Sequence, residues 1–133
     1  MGKDGEGSCR RREKVLLVDD EPDGMEAMAG MFRKSGYEAE VVGSAEGAMA
    51  SIHAGRPGVV LVDVMMPGRD GVELLREIRA DPATATLPVL MVTGNHRRVL
   101  ESFTCGAQDY LMKPVEWGRV RESVERQLGR GEG

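Results

Sequence analysis

Side chains able to handle charge stand at the ends of separate apolar runs in this sequence. Carboxylates follow the first and third runs, a hydroxyl follows the fourth and an ammonium group follows the fifth: Asp19, Asp20, Asp63, Thr93 and Lys113. The runs are short and rich in valine, which is typical of strands buried on both faces of a parallel sheet. Because the carboxyl ends of parallel strands lie along one edge of a sheet, we expect these five side chains to converge there.

Three carboxylates that share one cleft repel one another, and each raises the pKa of its neighbours. A hard divalent cation relieves that repulsion, and a site built from oxygen ligands favours Mg²⁺. The ammonium group of Lys113 and the hydroxyl group of Thr93 would complete a cradle for a phosphoryl group, whose charge is best spread over several donors. Each residue taken singly has an ordinary explanation as a turn, cap or loop residue, but their joint placement favours this chemistry.

The segments between the apolar runs carry apolar side chains at helical intervals. Five such segments alternate with the strands and have their apolar positions within 25–32, 45–52, 72–78, 99–103 and 117–128. Pro22 and Ser44 suit the starts of the first two helices, and Gly36 suits the end of the first. This alternation predicts an α/β fold, a doubly wound five-stranded parallel sheet with helices on both faces.

The composition is that of one acidic domain. With 133 residues, 41% of them hydrophobic, we predict a flexible leader over 1–13, a folded domain over 14–129 and a flexible end over 130–133. The net charge is −4 and the pI is about 5.3, whereas nucleic-acid-binding domains usually carry a basic surface. No apolar run is long enough to cross a bilayer, and no secretory signal is present. Cys9 and Cys105 fit no disulfide or metal pattern, which favours a cytoplasmic location.

The segments around the strand ends resemble response-regulator receiver domains of two-component signalling, whose simplest form is the stand-alone, CheY-like chemotaxis module. The resemblance runs from about Lys14 to Leu128, nearly the whole chain outside the leader. The matching segments are 15–21, 61–68, 70–71, 92–94, 106–107 and 109–114. The resemblance implies the flavodoxin-like sheet order of that family, in agreement with the fold class predicted from the strand and helix pattern.

The resemblance also implies roles for the acidic residues. Asp63 would be the phosphoryl acceptor. Asp19 and Asp20 would hold Mg²⁺ together with Asp63 and the backbone carbonyl of Met65. Mg²⁺ is the only cofactor that the resemblance implies.

Three further residues take roles by the same resemblance. Lys113 would pair with the phosphoryl oxygens, and Thr93 would donate its hydroxyl to one of them. Tyr110 matches the switch aromatic, which turns inward when Thr93 moves toward the phosphoryl group. The Lys113–Pro114 peptide bond is expected to be cis. Gly94 departs from the family, which most often has alanine there.

The implied function is phosphorylation-dependent signalling. Asp63 would take a phosphoryl group from a histidine kinase or phosphotransfer protein in a reaction that the module catalyses on itself, so the chain is not an enzyme with an external substrate. The new charge would rebias a surface formed by the fourth predicted helix, the fifth strand and the last helix, which would control a downstream protein. We expect a monomer or a weak dimer through this surface, with no direct nucleic-acid or membrane partner.

Other classes of protein share parts of this pattern. A phosphohydrolase of the haloacid-dehalogenase kind would need an acidic residue two positions after its nucleophile, where this sequence has Met65. An FMN-binding flavodoxin would need a phosphate loop rich in Ser, Thr and Gly, whereas Asp19, Asp20 and Glu21 would repel a phosphate. A receiver-shaped module that signals without phosphorylation stays open, as does a phosphorelay intermediate with the same chemistry.

Overall fold

A computed structural model of the chain describes residues 13–64, 71–94 and 103–129. Its elements, in chain order, are β1 (Lys14–Val18), α1 (Pro22–Lys34), β2 (Glu38–Val42), α2 (Ala45–Gly55), β3 (Val59–Asp63), α3 (Gly71–Ala80), β4 (Val89–Thr93), β5 (Asp109–Met112) and α4 (Trp117–Gln127). Most of the fourth predicted helix falls outside the described residues, and α4 is the last of the predicted helices. None of the helices in these ranges is both long and apolar enough to cross a membrane.

The five strands form one parallel sheet in the order β2-β1-β3-β4-β5. The chain runs outward from β1 to β2 on one side, then returns past β1 and builds β3, β4 and β5 on the other. The predicted α/β, doubly wound, flavodoxin-like fold is therefore confirmed. In a sheet of this order the crevice for ligands lies between the carboxyl ends of β1 and β3, where the chain reverses its direction across the sheet.

Helices cover both faces of the sheet, so strand residues are buried whichever way they point. The face under α2 and α3 is packed with Leu16, Val18, Ile52, Val60, Val62, Leu75, Ile78 and Met91. The face under α1 and α4 is packed with Val15, Leu17, Phe32, Leu61, Leu90, Val120 and Val124. A register slip of one residue would exchange the two sets, so packing fixes the register and with it the position of each strand end.

Local signals set the helix ends as predicted. The side chain of Ser44 caps α2, because its Oγ accepts a hydrogen bond from the backbone N–H of Gly47 at 3.0 Å. Helix α1 begins at Pro22, whose missing N–H would have no partner in the first turn. Gly36 follows α1 with φ of +97°, a left-handed conformation that glycine adopts readily.

Gly71 allows the start of α3 to pack closely against the end of β3, and we predict the effect of adding a side chain there. A β-carbon on Gly71 would lie 2.5 Å from the carbonyl oxygen of Asp63 and 2.9 Å from Val64 Cα. We expect Gly71→Ala to lower the free energy of unfolding by about 1–3 kcal/mol, as overpacking against backbone does.

The matched control for this prediction is Gly30→Ala, since a β-carbon on Gly30 would lie within 4 Å of no atom of the described residues. That change, inside α1, should raise stability by about 0.5–1 kcal/mol because alanine favours a helix more than glycine does. Urea unfolding midpoints of the two variants should move in opposite directions. Equal shifts would show that Gly71 is not needed for close packing on Asp63.

Candidate functional site

Three carboxylates meet where β1 and β3 end. Asp19 and Asp20 directly follow β1, and Asp63 is the last residue of β3, which lies beside β1 in the sheet. Each of the three offers an oxygen within 4.8 Å of the others. Asp19 and Asp63 are only 7% and 4% exposed, and Asp20 is more open to solvent. Residues 44 positions apart in sequence thus form one acidic cluster, as the sequence predicted.

A single ammonium group faces this cluster in the described part of the chain. Lys113 follows β5, and its Nζ lies 2.9 Å from Oδ2 of Asp63. Its backbone N–H donates to the carbonyl oxygen of Thr93 at 2.9 Å, which carries the pairing of β4 and β5 one residue past the strand. The hydrogen bond to Asp63 raises the pKa of Lys113 above its ordinary value, so the ammonium group keeps its charge.

Burial makes Asp19 a weak acid. Desolvation raises its pKa to about 6 from an ordinary 3.8, and the nearby charge of Asp63 adds to the rise. The backbone N–H of Glu21, 3.0 Å from Oδ1 of Asp19, and the charge of Lys113 act in the opposite direction. The cluster is therefore crowded with negative charge that the protein's own groups only partly compensate.

The raised pKa of Asp19 predicts how the metal-free protein responds to pH. Between about pH 3.8 and 6 the folded state keeps a proton that the unfolded chain has released, so stability falls as pH rises through this window. Asp19→Asn should remove this dependence and stabilise the metal-free protein by roughly 1 kcal/mol at pH 7. Urea unfolding in EDTA at pH 4.5 and 7 measures both effects, with the surface change Glu122→Gln as control. A gain from Asp19→Asn that is equal at the two pH values would contradict the prediction.

Thr93 and Gly94 close the site on the β4 side. Thr93 ends β4 and is completely buried, and the preceding residue, Val92, is in register with Asp63. Among the residues that the structure describes, a β-carbon on Gly94 would meet only Cβ of Lys113, at 3.9 Å, which is ordinary van der Waals contact. The departure from the family's usual alanine is therefore not required by lack of space.

Tyr110 lies in β5, and β4 lies between this strand and the acidic cluster at the end of β3. Its ring is half-buried and packs edge-to-face on Phe103, with ring centroids 5.5 Å apart. Phe103 itself is 42% exposed. The Lys113–Pro114 bond is cis, as predicted.

Two features that the sequence predicts lie outside the described residues, and two contacts at the site were not predicted from the sequence. Met65 and most of the fourth predicted helix lie outside the described residues. The N–H of Glu21 that binds Asp19 was missed, although an aspartate bonded to the N–H two residues on is a recognisable turn pattern. The close seat of Gly71 on Asp63 was also missed, because nothing local to Gly71 reveals it.

Comparison with known proteins agrees with this geometry. Residues 15–125 match the family model described as the response regulator receiver domain. The DNA-binding response regulator MtrA of Mycolicibacterium smegmatis is 34% identical over 126 residues, which cover 91% of this chain and 53% of that protein. The nitrogen assimilation regulatory protein NtrX of Azorhizobium caulinodans is 36% identical over 118 residues, covering 86% of this chain and 26% of that protein. The chain thus spans about half the length of MtrA and a quarter of NtrX.

Solved structures show the same likeness. A response regulator receiver protein from Pseudomonas putida superposes with a TM-score of 0.82 at 31% identity, covering 87% of this chain and 98% of that chain. The chemotaxis protein CheY4 of Vibrio cholerae superposes with a TM-score of 0.81 at 27% identity, with the same coverage of both chains.

Proposed function

Because the chain belongs to the response regulator receiver domain family, we propose that it signals by accepting a phosphoryl group on Asp63. The donor would be a phosphohistidine on a histidine kinase or a phosphotransfer protein. One observation carries this proposal: the buried carboxylate of Asp63 has the ammonium group of Lys113 at 2.9 Å and the carboxylate oxygens of Asp19 and Asp20 within 4.8 Å. A nucleophile, a cation for the transferred oxygens and ligands for a metal are thus combined in one cleft.

The acidic residues fit a magnesium ion. Asp19, Asp20 and Asp63 supply the hard oxygen donors that Mg²⁺ prefers, and they lie close enough together to share one ion. The raised pKa of Asp19 supports this fit, because the crowded charge would be relieved by a cation. We propose that the backbone carbonyl of Met65 is a further ligand. When bound, Mg²⁺ would neutralise charge on the phosphoryl oxygens.

The transfer is an in-line displacement at phosphorus. An oxygen of the Asp63 carboxylate forms a P–O bond while the P–N bond of the phosphohistidine breaks, and the electron pair leaves with the imidazole nitrogen. The chain contributes position and charge, which dominate catalysis of phosphoryl transfer. Lys113 would pair with the transferred oxygens, and the Thr93 hydroxyl would donate to one of them. Attack of water on the acyl phosphate would restore the carboxylate.

The signal would be read on the neighbouring surface. Thr93 ends β4 and Tyr110 lies in the adjacent β5, so movement of Thr93 toward the phosphoryl group would open space for the Tyr110 ring. We propose that this change rebiases the surface formed by the fourth predicted helix, β5 and α4, which would bind a downstream protein. The same surface would mediate any weak dimer. The DNA binding that MtrA's name records is not proposed for this acidic domain.

The proposal is tested by incubating the protein with acetyl phosphate and measuring its intact mass. With Mg²⁺ present we expect an adduct of one phosphoryl group, and with EDTA we expect none. Asp81→Asn is a suitable control, because Asp81 lies on the turn after α3, where its carboxylate contacts His53 at 3.1 Å and accepts from the N–H of Ala83 at 2.9 Å, and it is not a member of the acidic cluster. That variant should form the adduct at the rate of the unchanged protein. An adduct that forms equally in EDTA, or none with Mg²⁺, would refute the proposed function.

A further inference from the structure

Helix α3 joins the phosphoacceptor to the segment that precedes β5. At its start, the N–H of Gly71 donates to the carbonyl oxygen of Val64 at 2.8 Å, and Gly71 lies directly against the carbonyl of Asp63. At its end, the side chain of Arg79 reaches across to residues 106–108. A helix of ten residues is a rigid rod about 15 Å long. A displacement at one end of α3 is therefore transmitted to the other.

Arg79 holds residues 106–108 through three hydrogen bonds. Its Nε and Nη2 both donate to the carbonyl oxygen of Gly106, at 3.0 and 2.9 Å. Its Nη2 also donates to Oε1 of Gln108 at 2.6 Å. The planar fork of a guanidinium suits such paired contacts, which the point charge of a lysine cannot reproduce.

The segment 106–108, which Arg79 contacts, is also hydrogen-bonded to β4. Oε1 of Gln108 accepts a hydrogen bond from the N–H of Val89 at 2.7 Å, and the N–H of Gln108 donates to the carbonyl oxygen of Val89 at 2.9 Å. Gly106 has φ of +102°, and a β-carbon there would lie 3.0 Å from Nε of Arg79. A glycine is therefore required for the guanidinium to approach so closely.

The two ends of β5 are secured by different contacts. The far end is held by the N–H of Lys113 on the carbonyl of Thr93, which does not involve Arg79. The near end, which leads directly into Tyr110, follows the segment that Arg79 holds, and its first residue, Asp109, also accepts a hydrogen bond from Oγ of Ser123 on α4 at 2.6 Å. Loss of the Arg79 contacts should therefore loosen the approach to Tyr110 while leaving Lys113 in place beside Asp63.

We propose that Arg79 is a positioning residue for the switch: it holds residues 106–108 and the start of β5 in the arrangement in which Lys113 pairs directly with Asp63. Its consequence for signalling rests on the proposed function, since the rearrangement of Tyr110 is the step that Arg79 opposes. Release of these contacts should make that rearrangement easier without weakening phosphoryl acceptance.

The test compares Arg79→Gln with the unchanged protein and with Arg121→Gln, a control arginine on α4 that pairs with Glu125 on the surface. Amide hydrogen exchange is measured by residue, and beryllofluoride with Mg²⁺ is titrated as a phosphoryl mimic. In Arg79→Gln we expect exchange at residues 106–110 to rise about tenfold. The half-saturating beryllofluoride concentration should fall roughly threefold or more, and acyl-phosphate formation should stay within about twofold of the unchanged rate. Arg79→Lys should behave like Arg79→Gln, and Arg121→Gln like the unchanged protein.

Two results would overturn the proposal. One is an exchange increase spread evenly over all elements, which would mean that Arg79 only adds to global stability. The other is an unchanged half-saturating concentration in a protein that does bind beryllofluoride. If the unchanged protein binds no beryllofluoride and forms no adduct, the proposed function fails instead. In that case the exchange at residues 106–110 still decides whether Arg79 holds this segment.

Discussion

Replacing Asp63 with asparagine is expected to lower acyl-phosphate formation from acetyl phosphate by at least about a thousand-fold, because the amide has no nucleophilic carboxylate oxygen. The asparagine side chain has nearly the same size as that of aspartate, and the residues around it are unchanged. Positioning and charge cannot replace the lost nucleophile. The measurement is the rate at which the phosphoryl adduct appears in the intact mass, with Mg²⁺ at saturation.

A second readout shows that Asp63→Asn acts at the acidic cluster and not by unfolding the chain. The charge of Asp63 is one cause of the raised pKa of Asp19, so the variant should move the pKa of Asp19 back toward its ordinary value. Carbon-detected NMR titration of the Asp19 carboxyl group would follow this shift. A variant that still forms the adduct at an undiminished rate would exclude Asp63 as the acceptor.

Replacing Lys113 with glutamine is expected to slow acyl-phosphate formation by about a hundred-fold, the usual effect of removing one group that stabilises charge in the transition state. Its Nζ lies 2.9 Å from Oδ2 of Asp63, the proposed acceptor. Lys113→Arg should recover only part of the rate, because a planar fork does not replace a compact ammonium group. The charge of Lys113 also lowers the pKa of Asp19, so the glutamine variant should raise that pKa further.

The matched control for this prediction is Lys34→Gln, which removes an exposed lysine from the last turn of α1. It changes the net charge equally and should leave the rate of adduct formation unchanged. If Lys113→Gln and Lys34→Gln had the same small effect, Lys113 would act only through the overall charge of the protein.

The sheet and its acidic edge were predictable because the cause is local in sequence. Four-residue apolar runs such as Val15–Val18 and Val59–Val62 are typical of strands that are buried on both faces of a sheet. The helical segments between the runs indicate that the strands are parallel. Once the strands are parallel, Asp19 and Asp63 must come to the same edge. The start of α2 was predictable for a similar reason, since Ser44 caps it through a contact three residues away.

Features that depend on tertiary distance were not predictable in this way. Arg79 directly follows the apolar positions of the third predicted helix, but its partners lie 27 and 29 residues further on, and nothing near Arg79 indicates them. The pKa of Asp19 depends on how deeply the cleft is buried, which no motif encodes. The domain boundaries and the roles of all the predicted site residues stay predictions, namely those of Asp19, Asp20, Asp63, Met65, Thr93, Tyr110 and Lys113.

We propose that the three carboxylates form one magnesium site, and a calorimetric titration with Mg²⁺ at pH 7.5 measures its affinity. We predict saturable binding of one ion, at least about tenfold weaker in Asp19→Asn and in Asp63→Asn, and weaker at pH 5 because Asp19, with a pKa of about 6, is then largely protonated. Glu122→Gln should bind as the unchanged protein does. Absence of saturable binding, or equal affinity in all of these variants, would contradict the claim.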